Sequence, residues 1–271
     1  MKVIAGIFCV LVALFLLAPV FVLIPMSLGS AEYAEFPPRT VSLDQYWKFF
    51  QSRPWIESVA TSFRVGLATM VLATSVGTMA AFGLVRGRFR GKGLLTGLLI
   101  SPRFVPIIIS ALAYYSLFAK LRLVGTELGL VLAHTILACP YVIIIVSATL
   151  RGFDPSLEQA SRSLGANPLQ TVFRVTLPII RPGIVSAGLF AFMMSFDEIV
   201  VAIFISGTRA VTLPKRMWDS LTYEMEPTLP AISTLILLTT LLVFAMAAYA
   251  QRTAALLRAK ENKLPQKNDT K

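Results

Sequence analysis

In 271 residues the chain has a single histidine, His134, and two cysteines, Cys9 and Cys139. That leaves too few soft ligands for a zinc cage, which takes four. Both cysteines lie in apolar runs and read as small buried hydrophobes rather than as a disulfide. No serine has a catalytic histidine beside it in sequence. Charge is scarce as well: 14% of residues are Asp, Glu, Lys or Arg, where soluble domains carry about 25%. The nearest thing to a phosphate loop is Gly87-Arg88-Phe89-Arg90-Gly91-Lys92-Gly93. It has three residues between its first two glycines where the phosphate loop needs four, and Gly93 stands where Ser or Thr should follow the lysine. It reads as a short basic turn, binding neither nucleotide nor RNA. The chain is therefore expected to be no enzyme, and to draw energy from a partner.

What is abundant is apolar sequence, at 56% of residues and a mean hydropathy of +0.73. A span needs about 20 apolar residues. Six such stretches are expected, at about 3–28, 57–85, 94–118, 128–150, 183–205 and 229–250, in one membrane domain covering 1–271. The first could instead be a signal peptide cut near Gly29-Ser30-Ala31. A single n-region charge, Lys2, and the length of the apolar run argue for a retained span. Ser62, Gly66, Gly77 and Gly83 suit close helix contact in the second. Residues 151–182 form a long polar loop, and 259–271 a polar tail expected to be disordered.

Net charge is +11, and its distribution says more than its sum. With six spans both termini share a side with the 86–93 turn and the 151–182 loop. That side carries 15 basic residues against 8 in the opposite loops, with Arg64 and Arg103 inside spans. The positive-inside rule then places both termini and the long loop in the cytoplasm.

Within that loop, Asp154 to Pro178 is built as two short helices. Asp154 can cap the first, with Pro155 at its first position. Leu157, Ala160, Ser161 and Leu164 then share one narrow face. Gly165 suits the positive φ that ends the helix. Asn167 restarts the chain with Gln170 placed for a capping box, and Leu177-Pro178 is expected to stop the second helix.

This stretch resembles the cytoplasmic loop signature of ABC importer permeases: Glu-Ala-Ala, three residues, Gly, nine residues, then Ile-x-Leu-Pro. Here it reads Gln159-Ala160-Ser161, Gly165, then Val175-Thr176-Leu177-Pro178. Gln159, Ser161 and Val175 depart from the pattern, and Glu158 sits one residue before the family's glutamate. The resemblance implies the type I importer permease fold, a six-helix bundle with cytoplasmic coupling helices, and a multi-pass protein of the bacterial inner membrane. It also implies the partners: a dimer of ATP-binding subunits that holds ATP and Mg, a second homologous permease, an extracytoplasmic substrate-binding protein and the lipid membrane. No cofactor is then expected on this chain, and no nucleic acid. Glu158, Gln159, Ala160, Ser161, Leu164, Gly165, Leu177 and Pro178 would form the ATPase-coupling loop. ATP-driven closure would push these helices and tilt the bundle between its two access states.

Further along, Ser195-Phe196-Asp197-Glu198-Ile199, Ser206-Gly207 and Thr212-Leu213-Pro214 with Met217-Trp218 resemble the polyamine (spermidine and putrescine) branch. Asp197 and Glu198 are adjacent acids inside the fifth span, where ionisable groups mark function by default. Glu198 shares a helix face with Ala187, Ala191, Ser195 and Ala202. Asp197 falls near Phe190, Met193 and Phe204, and a carboxylate beside aromatic rings suits an elongated ammonium ligand. The expected substrate pathway is Asp197, Glu198, Phe190 and Phe204. Either acid could instead be bonded to Arg64, Arg103, His134 or the second permease for structure alone. An ABC permease for another small solute, an ion-coupled secondary transporter and a non-transporting membrane scaffold are the competing classes.

Overall fold

The computed structural model describes residues 2–29, 35–224 and 226–241. Among these the secondary structure is helical, apart from an isolated bridge between Gly29 and Val41. The chain divides into two compact units, one made of the residues up to Ser52 with those from Tyr223 onward, the other of Arg53–Thr222.

In the first unit, α1 (Lys2–Ser27) is an apolar rod despite Pro19 and Pro25. Phe8, Phe15 and Leu16 are exposed on it, and its apolar window has no buried residue. A helix apolar on all sides and covered on none is at home in lipid. Ser27 at its end bonds the Tyr46 hydroxyl on α2 (Asp44–Gln51), which buries Gln45 and Phe49. The apolar helix α12 (Leu229–Leu241) covers the described part of the sixth expected span. The rest of that span, 242–250, and the 259–271 tail lie outside the described residues.

The second unit is built on α3 (Arg53–Arg86), α6 (Glu127–Arg151) and α9 (Leu177–Phe196). Their shared core interleaves alanines, Ala73 and Ala81 on α3, Ala138 on α6, Ala187 and Ala191 on α9, with larger residues such as Val142, Leu150 and Ile180. A Cβ on Gly77 would fall 2.6 Å from Val142, and one on Gly66 2.9 Å from the Phe192 ring. One on Gly183 would collide with the Thr149 hydroxyl. Side chains of one helix thus pack directly on the glycines of the next, the kind of small-residue contact by which helices associate where lipid removes the hydrophobic drive. Gly83 has no such neighbour, so the expected small-residue seam ends before it.

Three boundaries differ from the sequence expectation, each for a backbone reason. The third span is not one rod. Lys92–Phe104, made of α4 (Lys92–Ile100) and a 3₁₀ turn (Ser101–Phe104), meets α5 (Ile107–Lys120) at 102°. Val105, which precedes Pro106, is extended, as a residue before proline prefers. Leu177-Pro178 does not stop the second loop helix. A π turn (Val172–Thr176), closed by Leu177 N–H donating to Val172 O, feeds α8 (Pro168–Thr171) into α9. Pro178 follows directly on that π turn, and the helical path continues through it. Finally, the fifth span does not run unbroken from 183 to 205. It ends at Phe196, and α10 (Val200–Ile205) begins beyond Asp197-Glu198-Ile199. By length and composition the described residues thus hold four helices able to cross a membrane, or five if the bent pair counts as one.

Candidate functional site

The loop after α6 is assembled by local hydrogen bonds. The Asp154 carboxylate accepts from Ser156 N–H at 2.9 Å, which holds its carboxyl below the usual carboxylate range. This caps α7 (Pro155–Ser163). Ala166 N–H reaches back to Ser161 O around Gly165, whose φ of +86° favours glycine. Asn167 and Gln170 complete the reciprocal capping box, at 2.8 and 3.0 Å. Ser161 and Thr171 hydroxyls, 3.3 Å apart, tie α7 to α8. Two helices too short to be stable alone are fixed as one body.

That body is bonded to the membrane helices through one carboxylate. Glu158 Oε1 accepts from Arg86 Nη2 at 3.1 Å and from the buried Thr176 hydroxyl at 3.0 Å. Arg86 is the last residue of α3, and its guanidinium lies over the buried Phe153 ring at 5.6 Å. The pair is largely shielded, with side-chain exposures of 30% for Arg86 and 14% for Glu158. Glu158, one residue out of step with the family pattern, thus has a firm bond inside the chain. Nothing in the sequence paired it with Arg86, 72 positions away.

Four large apolar side chains of the loop are exposed, among exposed polar ones such as Gln159, Arg162 and Arg174. Leu164 is 89% exposed, with Leu157, Leu169 and Phe173 exposed beside it. Gln159, Ala160 and Gly165 are exposed, Ser161 is turned towards Thr171, Leu177 packs on the core and Pro178 faces out. The expected coupling residues therefore split into an inner set (Glu158, Ser161, Leu177) and an outer one. Leu169 and Phe173 join the outer set. Their spacing of four was visible in sequence, inside the expected second helix.

The expected pathway residues do not form one cluster. Asp197 caps the C-terminal end of α9, exposed and with no side-chain partner among the described residues. Glu198 is 8% exposed and accepts from Val201 N–H at 3.0 Å, so it caps the start of α10. Phe190 lies seven residues before Asp197, on the same face two turns away. Its ring is 5.2 Å from that of Tyr141, which lies under the Arg103 guanidinium at 5.3 Å. Phe204, beyond the break, packs on the core around Val65, Leu130 and Val201. None of the three in-chain partners considered for the acids takes either one. Arg64 pairs with Glu127 at 2.6 Å, Arg103 stacks on Tyr141, and buried His134 bonds Ser195 at 2.8 Å through Nδ1.

Three comparisons bear on the whole arrangement. The putrescine transport system permease protein PotI of Escherichia coli K12 is 35% identical over 234 residues, covering 82% of each chain. The spermidine/putrescine transport system permease protein PotC of Haemophilus influenzae is 30% identical, over 86% of this chain and 91% of its own. In fold, the chain is similar to a crystal structure of a bacterial ABC transporter that imports the acidic polysaccharide alginate. There the TM-score is 0.73 at 17% identity, over 92% of this chain and 95% of that one. Residues 73–255, which include the 154–178 loop, the α9 break and α10, match the family described as binding-protein-dependent transport system inner membrane component. The chain belongs to that family, the permeases of ABC importers, and has its all-α type I fold.

Proposed function

We propose that this permease carries polyamines, putrescine or spermidine, into the cytoplasm by alternating access driven through the 154–178 loop. The observation that carries the reading is the two-sidedness of that loop. Its outer side offers Leu157, Leu164, Leu169 and Phe173 to a partner, while Glu158 on its inner side is bonded to the end of α3. A partner that closes on the outer side moves a capped, rigid pair of helices, and the ion pair passes that motion to α3. The partner is the ATP-binding subunit dimer, which holds ATP and Mg; this chain acts as one permease domain, with no cofactor of its own. A second permease and an extracytoplasmic binding protein complete the importer in the inner membrane. The substrate class rests on the two polyamine permeases it resembles and on Asp197, an unpaired carboxylate at the α9 break.

Both termini lie in the cytoplasm on this reading, supported by the 15-to-8 split of basic residues. Reporter fusions at Lys92 and Arg151 should read cytoplasmic, and fusions at Asp44 and Glu226 extracytoplasmic. A cytoplasmic reading at Asp44 would overturn the six-span topology.

Coupling is tested at Gly165. A Cβ there meets nothing within 4 Å in this chain, so the strain of φ +86° is the in-chain cost, about 1 kcal/mol for a non-glycine residue. Gly165→Asp adds a charge where the ATPase docks. Uptake should fall at least tenfold while the protein still inserts; wild-type uptake and ATPase stimulation would show that the loop does not couple.

Asp197→Asn keeps the shape and removes the charge. Putrescine uptake should drop at least tenfold with the ATP-binding subunit and second permease still co-purifying. Unchanged uptake, or a loss fully explained by disassembly, would take Asp197 out of the pathway.

A further inference from the structure

At the end of α3 remote from Arg86, the chain has a concavity of about 470 Å³. The first turns of α3 supply Arg53, Glu57 and Ser58, and the segment between α10 and α11 (Leu213–Asp219) supplies Arg209; Arg216, on α11, closes it. Three guanidiniums therefore converge with a single carboxylate.

The walls are held in place. Arg216 Nε donates to Ser58 Oγ at 3.0 Å, and its guanidinium lies 6.0 Å from the Trp55 ring centre. Leu213 N–H donates to Ser62 Oγ at 2.8 Å, which fixes the start of α11 against α3. Gly125 N–H donates to Ile205 O at 2.7 Å, anchoring the segment that carries Arg209. Arg53 and Arg209 are exposed and have no ion pair or hydrogen bond among the described residues. Arg64, eleven residues along from Arg53 on the same helix, is by contrast saturated by Glu127 through three contacts of 2.6 to 3.2 Å. Unpaired guanidiniums held in one concavity suit planar, bidentate carboxylates. The same excess positive charge repels a polycation, so this is not a station for the transported amine.

We infer that this basic concavity is the seat for carboxylate side chains on the surface of the extracytoplasmic binding protein. The inference rests on the importer reading above, which fixes the side. α3 has 34 residues, a rise of about 50 Å, against a hydrocarbon core of about 30 Å. With Arg86 at the cytoplasmic loop, the Arg53 end stands clear of the opposite hydrocarbon boundary, where a soluble partner can reach it. The volume admits one or two acidic side chains rather than a broad face. One helix then carries the outer docking seat at one end and the bond to the coupling loop at the other.

The test uses the assembled importer in phosphatidylcholine nanodiscs, titrated with the purified binding protein of the same transport system. Arg53→Gln with Arg209→Gln should weaken its binding at least tenfold and flatten the salt dependence of the affinity, with the ATP-binding subunit and second permease still co-purifying. If the double variant fails to assemble, Arg209→Gln alone, on an exposed loop residue without a hydrogen bond, should show a smaller loss in the same direction. Wild-type affinity and salt slope in the variants would overturn the inference. So would an effect seen only in discs containing phosphatidylglycerol, which would assign the concavity to lipid phosphate. Failure of the wild-type chain to co-purify with an ATP-binding subunit would instead count against the importer reading itself.

Discussion

Arg86 and Glu158 form the bond on which the working geometry depends. It joins the last residue of α3, the longest helix among the described residues, to the middle of α7, a helix that has no buried residue of its own. Arg86 is well placed there: a cation at a helix C-terminus is favoured by the helix dipole, and the Phe153 ring covers one face of the guanidinium. The carboxylate oxygen is also shared with the Thr176 hydroxyl, so the same atom reaches the π turn that leads into α9. A shielded pair with added hydrogen bonds resists being broken, because loss of one partner strands the other charge; where such pairs are fully buried that costs about 3–5 kcal/mol. Without it, α7 and α8 would keep their covalent ends and their packing on the π turn, but no charged bond to α3.

The core of Arg53–Thr222 suits the rod-like movement of α3 that the proposed coupling calls for. Glycines on α3 let side chains of its neighbours pack directly on its backbone, Val142 on Gly77 and Phe192 on Gly66. Such interfaces leave little side-chain slack to absorb a push at Arg86. Where the chain is not rod-like, it is broken at positions with exposed charge: Arg103 beside the 102° bend and Asp197 at the end of α9. Broken helices at membrane depth are tolerated where they face protein or a watery cavity rather than lipid.

Much of this was legible in the residues. The caps at Asp154 and Asn167 and the glycine turn at Gly165 follow from rules that act over three or four positions, and the structure holds them. Local rules could not give Glu158 its partner, because Arg86 lies 72 residues away and the spacing argument pointed to Gln159. They misread Leu177-Pro178 as a stop because a proline that ends a helix and one that the helical path runs through look alike until the π turn is seen. They placed Asp197 and Glu198 in a continuous span, whereas Glu198 is spent on capping α10 and Phe204 on the core. Phe190 and Asp197 kept their common face because α9 is regular up to the break.

The most direct measurement is a charge-swap cycle at this bond, read as amine molecules transported per ATP hydrolysed in proteoliposomes. Arg86→Gln and Glu158→Gln should each assemble, hydrolyse ATP and lose most transport. Arg86→Glu combined with Glu158→Arg should recover a measurable part of it, less than the whole because a carboxylate sits poorly at the α3 C-terminus. Single variants that transport with the wild-type ratio, or effects of the two sites that simply add, would show that α3 is not driven through this ion pair.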